Sequence, residues 1–134
     1  MKKEESFFKI IPLHSLKIYG TTMEPLKTAV IGVGYLGRFH AQKFSKLEDS
    51  NLLGVIDNDL KRAEEVGKEL GVPWFESLEA MTVQPDAVSI AVPTIYHFET
   101  GKKCLEKGIH VLMEKPFASN LEQSKALLDL SVQK

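Results

Sequence analysis

"AVIGVGYLGRFHAQKF", residues 29–44, decides the fold. An apolar run meets Gly32, Gly34 and Gly37, and Leu36, His40, Phe44 and Leu47 then recur at helical spacing. An apolar run ended by glycine reads as a strand buried on both faces, as in a parallel sheet. A strand therefore passes into a helix through a G-x-G-x-x-G turn, the context that gives this pattern its meaning. Gly32 allows the tight turn, Gly34 puts no side chain between the backbone and an approaching pyrophosphate, and Gly37 lets the helix pack on the strand. N–H groups at the helix start, with the positive end of its dipole, would hold the anion. Tyr35 and Leu36, inside the turn, belong to the same candidate site.

Outward from this turn the chain alternates. "NLLGVID" reads as a second strand ending at Asp57, twenty residues past Gly37, where a dinucleotide fingerprint expects an acid. A carboxylate there accepts hydrogen bonds from ribose hydroxyls and repels a 2′-phosphate, which favours NAD. Lys61 and Arg62 follow closely and could accommodate the phosphate of NADP. Asp59 is placed to cap a helix over "LKRAEEVGKELG", with Leu60, Ala63, Val66, Gly67 and Leu70 on one face and Gly71 at its exit. "PWFE" is a short strand, and Ser77 with Glu79 and Ala80 a brief helix. "DAVSIAVP" is a strand ended by Pro93, and "YHFETGKKCLEKG" a helix with Phe98, Gly101 and Leu105 inward. "HVLMEKP" is a further strand, and Ser119 or Asn120 caps a last helix containing Leu121, Leu127 and Leu128. Such alternation predicts an α/β fold, a doubly wound parallel sheet with helices on both faces joined by right-handed crossovers.

Composition narrows the function. The 134 residues suit one domain, and 43% hydrophobic with 26% charged content is ordinary for a globular chain. A net charge of −1 gives no electrostatic case for nucleic acid or an anionic membrane. Cys104 is the sole cysteine, which excludes a disulfide framework and points to a reducing, cytoplasmic setting. No segment nears the roughly 18–20 apolar residues of a membrane helix. Residues 1–26 follow no period and read as a poorly ordered leader, with Met23 as an alternative start and residues 27–134 as the domain. No His and Cys cluster has metal-ligand spacing, so no metal is expected. His40 reads as a packed histidine, His110 as structural, Cys104 as a buried small residue, and Trp74 and Phe75 as a strand near the adenine side.

Two longer stretches, "GYLGRFHAQKF" and "AVPTIYHFETGKKCLEKGIHVLMEKP", carry a family resemblance. From about residue 27 to residue 134 the sequence resembles the Gfo/Idh/MocA oxidoreductases, the family of glucose-fructose oxidoreductase and inositol dehydrogenase. Glu114-Lys115-Pro116, after the fifth strand, is its most specific element, since a generic dinucleotide fold does not require it. The resemblance implies a Rossmann NAD(P)-binding domain and hydride transfer between a nicotinamide and a sugar or polyol alcohol or carbonyl. It implies Lys115 as the catalytic residue, with Pro93 and Thr94 along the nicotinamide half of the cofactor, Glu114 beside them, and His97 either touching cofactor or substrate or serving as a cap or packing residue. A lysine so placed polarises an oxygen, stabilises a developing alkoxide or shuttles a proton. Members of the family continue into a substrate domain, which this sequence is expected to lack together with the last strand of the first domain. Two other readings stay open: an NAD-binding or redox-sensing module without catalysis, and an inactive remnant. An uncovered sheet edge and domain face imply self-association.

Overall fold

The computed structural model describes residues 24–133, so most of the expected leader and the Met23 start lie outside the described residues. The chain runs β1 (Leu26–Ile31), α1 (Tyr35–Phe44), β2 (Ser50–Ile56), α2 (Leu60–Leu70), β3 (Trp74–Phe75), β4 (Ala87–Ile90), α3 (His97–Glu106), β5 (His110–Met113) and α4 (Leu121–Gln133). Short 3₁₀ turns occupy Leu78–Ala80 and Thr94–Tyr96.

The five strands form one parallel sheet in the order β3-β2-β1-β4-β5. From β1 the chain builds outward to β2 and β3, then returns to lay β4 on the other side of β1. The strand order reverses between β1 and β4, and a crevice opens there at the carboxyl ends of the strands. Helices cover both faces, which is why the second half of β1, from Ala29 to Ile31, is apolar on both sides. Its Val30 side packs with Ala41, Phe44, Leu52, Val55 and Val66, under α1 and α2. Its Ala29 and Ile31 side packs with Ile56, Val88, Ile90, Cys104 and Ile109, under α3.

Local chemistry sets the boundaries of α2. The Asp59 side chain accepts the N–H of Arg62 at 3.2 Å, and Gly71 ends the helix at φ 67°. The inward faces of the helices differ from the expected stripes. In α1 the buried residues are Gly37, Ala41 and Phe44, while Leu36 and Leu47 are about half exposed. In α2 Leu60 is likewise exposed, and in α3 the buried set is His97, Gly101 and Cys104. Where glycine and alanine face a sheet, the backbone approaches closely and bulkier neighbours are turned aside. Among the described residues no helix is long and apolar enough to cross a membrane.

Candidate functional site

The three glycines of the turn are there for different reasons. Gly32 leaves β1 at φ 87°, and its N–H donates to the Ile56 carbonyl at 2.8 Å. A β-carbon on Gly32 would stand 2.7 Å from the backbone nitrogen of Val92, and one on Gly37 would fall on the Gly32 carbonyl. Both are glycine because the fold leaves no room. Gly34 has φ −68° and ψ −156°, a conformation that requires no glycine, and a β-carbon there would meet nothing within 4 Å. The protein itself asks for no glycine at position 34. What the missing side chain keeps clear is the space in front of the turn. Gly34 is also the N-cap of α1, with no side-chain cap and no acid in the first turn, so the first N–H groups of the helix face that space.

Asp57, at the end of β2, is 6% exposed. Its Oδ2 accepts the Val33 N–H at 3.0 Å and its Oδ1 the Asp59 N–H at 2.9 Å. Arg62 sets its guanidinium 3.5 Å from Asp57 Oδ2 and 3.4 Å from Asp59 Oδ2. A groove of about 1000 Å³ runs from Asp57, Asn58 and Arg62 past Gly32 and Gly34 to Val92 and Pro93. Its size suits a large small-molecule ligand. Tyr35 and Leu36 line it and are themselves exposed. Trp74, beside Lys68 on α2, is not part of its wall.

The remaining candidates gather one step beyond this groove, at the ends of β4 and β5. Pro93 lines the groove and caps the 3₁₀ turn that begins at Thr94 and delivers the chain into α3. Lys115, exposed after β5, is joined to Pro116 by a cis peptide. The Lys115 N–H faces Oε2 of Glu114 at 3.3 Å. Glu114 Oε1 lies 2.7 Å from His40 Nε2, and His40 Nδ1 lies 2.5 Å from Ser89 Oγ on β4. Serine, histidine and glutamate in series resemble a hydrolytic relay, but Ser89 is fully buried in the sheet, where no substrate reaches it.

His97, for which both a ligand contact and a packing role stood open, has a packed setting. It is 1% exposed, and its ring nitrogens each lie 2.8 Å from a backbone carbonyl, Pro116 for Nδ1 and Val92 for Nε2. Each ring nitrogen faces a backbone carbonyl of the chain, and a neutral ring donates to one of the two. Reading the sequence also missed Ser89 and the contacts of His40. Ser89 and His40 are 49 residues apart and meet only through sheet packing, so no local signal marks them. Among the described residues no cluster of His, Cys, Asp and Glu could hold a metal.

The comparisons agree with this geometry. The family profile described as an oxidoreductase family with an NAD-binding Rossmann fold, Gfo/Idh/MocA, matches residues 26–134. The UDP-N-acetylglucosamine 3-dehydrogenase of Acidithiobacillus ferrooxidans is 44% identical over 106 residues, covering 79% of this chain and 33% of that protein. Its crystal structure superposes with a TM-score of 0.78 at 43% identity, over 83% of this chain and 36% of that one. A scyllo-inositol dehydrogenase from Lactobacillus casei, solved with bound NAD(H) and scyllo-inositol, gives a TM-score of 0.75 at 28% identity over 82% and 34% of the two chains. The chain thus spans about a third of the length of the relatives it matches. With the glycine turn, the acid at the end of β2 and the parallel sheet all in place, the chain belongs to the Gfo/Idh/MocA oxidoreductases and carries their NAD-binding Rossmann fold.

Proposed function

We propose that this chain is the cofactor-holding part of an NAD-dependent dehydrogenase acting on a sugar or polyol. The observation that carries the reading is Gly34. Neither its backbone angles nor its neighbours require glycine, yet a side chain there would stand in the groove in front of the α1 N-terminus. That is the place a pyrophosphate would occupy.

The residues divide by role. Gly32, Gly34 and Gly37, with the N–H groups beside Tyr35 and Leu36, cradle the phosphates. Asp57 keeps acceptor capacity on its carboxylate for a ribose hydroxyl, while Arg62 beside it offers a cation to a 2′-phosphate. Pro93 and Thr94 border the nicotinamide half. When bound, the nicotinamide supplies or accepts the hydride. Lys115 would stand at the substrate oxygen, where an ammonium would stabilise negative charge developing on that oxygen. The relatives' names, dehydrogenases of a nucleotide sugar and an inositol, support a hydroxylated ring as substrate. The single, buried, unpaired cysteine supports work in the cytoplasm. Exposed Leu121, Leu128 and Val132 on α4 support self-association, which sedimentation over a range of concentrations would test.

Calorimetric titration of the 134-residue chain with NAD and NADP, wild type beside Gly34→Ser, tests the cofactor reading. Binding by the wild type that is lost in the variant is expected. Equal binding by both, or none by the folded wild type, would overturn it.

A further inference from the structure

Lys115 follows β5 in a stretch with no regular structure before α4. A lysine ammonium sits on a flexible four-carbon stem, so where it can reach depends in part on the backbone beneath it. Both neighbours of Lys115 are held by histidines from other parts of the chain.

On one side, the Glu114 N–H donates to the Ile90 carbonyl at 3.1 Å, continuing the sheet ladder by one step. The Glu114 side chain then meets His40 Nε2 at 2.7 Å. A carboxylate only accepts, so Nε2 carries the proton, and in the neutral ring Nδ1 accepts the Ser89 hydroxyl at 2.5 Å. Ser89, fully buried on β4 and paired with β5, anchors the set to the sheet. On the other side, the Pro116 carbonyl meets His97 Nδ1 at 2.8 Å, and the same ring reaches the Val92 carbonyl through Nε2. His97, buried at the start of α3, therefore packs between the segment after β5 and the segment after β4, on which Pro93 and Thr94 lie, and a neutral ring donates to one of their two carbonyls.

We infer that His40 and His97 are positioning residues that fix Lys115 from its two sides. The inference rests on the reading of Lys115 as the cation at the reacting end. Histidine suits both places for one reason. Its rigid ring carries two polar atoms on opposite edges, so one side chain can stand between two segments and meet a polar group on each. Neither histidine touches the reacting atoms; each acts through a neighbour of Lys115.

The test is site-resolved acetylation of lysines with a limiting amine-reactive ester, read by mass spectrometry on the 134-residue chain without nucleotide. His40→Phe and His97→Phe keep a ring and remove its polar edges. Each is expected to raise the Lys115 labelling rate by about threefold or more, because a released segment samples more open positions. Lys46 and Lys125 should be unchanged. His40→Gln and His97→Gln retain a donor and should bring Lys115 back to within about twofold of wild type. Should a phenylalanine variant fail to fold, Glu114→Ala cuts the first latch at a partly exposed side chain and gives the same readout. A Lys115 rate unchanged in the folded variants would overturn the inference, as would all lysines shifting together. NAD binding measured on the same samples separates the two claims: a wild type that fails to bind defeats the functional reading, whereas the labelling pattern speaks to positioning alone.

Discussion

Oδ2 of Asp57 accepts the backbone N–H of Val33 at 3.0 Å, which fastens the acid that ends β2 to the glycine turn that ends β1. One side chain thus serves the fold and the candidate site together. Asp57→Ala would leave the Val33 and Asp59 N–H groups without their acceptor, at a cost of about 1–3 kcal/mol. Asp57→Asn keeps one carbonyl oxygen and should lose less. Both should weaken NAD binding. Denaturant midpoints beside calorimetry would separate the two effects, and a fully stable Asp57→Ala would show that the fastening contributes nothing.

Arg62 offers a test of the choice between cofactors. Its guanidinium sits over Asp57 and Asp59, and its side chain is about half exposed. Exposed ion pairs of this kind contribute little, so Arg62→Ala should change stability by less than about 1 kcal/mol. The variant leaves Asp57 to repel a 2′-phosphate unopposed. NADP binding should therefore fall by about tenfold relative to NAD, near the strength of one charge-assisted hydrogen bond. An unchanged ratio of the two affinities would remove Arg62 from cofactor selection.

Position 34 and position 37 should respond in opposite ways. Serine is a good N-cap and meets open space at 34, so Gly34→Ser should fold with stability within about 1 kcal/mol of wild type or above it. Its nucleotide affinity should drop at least tenfold, or about 1.4 kcal/mol. Gly37→Ala puts a methyl group onto the Gly32 carbonyl, and this backbone cannot yield without moving α1 off β1. A loss of about 2 kcal/mol or more is expected, despite alanine's better helix propensity. Thermal melts with NAD titrations on both variants would check the contrast.

The local features of this fold were legible in the sequence because their causes are local. The glycine turn, Asp57 at the strand end, the Asp59 cap and the Gly71 stop each depend on a few neighbouring residues. The α1 stripe was misjudged because apolar periodicity weighs leucine and phenylalanine but gives no weight to Gly37. At the closest approach to the sheet only the smallest residues fit, so Gly37 and Ala41 set the inward face and Leu36 and Leu47 turn outward. His40 and His97 were beyond reach for another reason. Their partners, Ser89, Glu114, Val92 and Pro116, lie on other elements, and strand order alone brings them together. A histidine's spacing along a helix says that it faces inward, not which carbonyl or carboxylate waits there.

Cys104 gives a test of the core by pH. It is fully buried on α3, and burial pushes its thiol up to about 11, from an ordinary value of 9.0. Lys103 and Lys107 pull the other way and Glu79 adds to the rise, all less than burial itself. Between pH 9 and pH 11 the unfolded chain has released this proton while the folded chain keeps it, so the unfolded state binds fewer protons and stability falls as pH rises. The loss approaches roughly 2–3 kcal/mol by pH 11. Tyrosines and lysines titrate in the same range, so the diagnostic is a comparison with Cys104→Ala, whose stability should decline less steeply across that window. At pH 8 the native thiol should resist an aromatic disulfide reagent, and one thiol per chain should react once urea unfolds the protein. Parallel pH curves for wild type and variant would show that Cys104 titrates as it would in water, and prompt labelling of the native chain would show that the space beneath α3 is open to solvent.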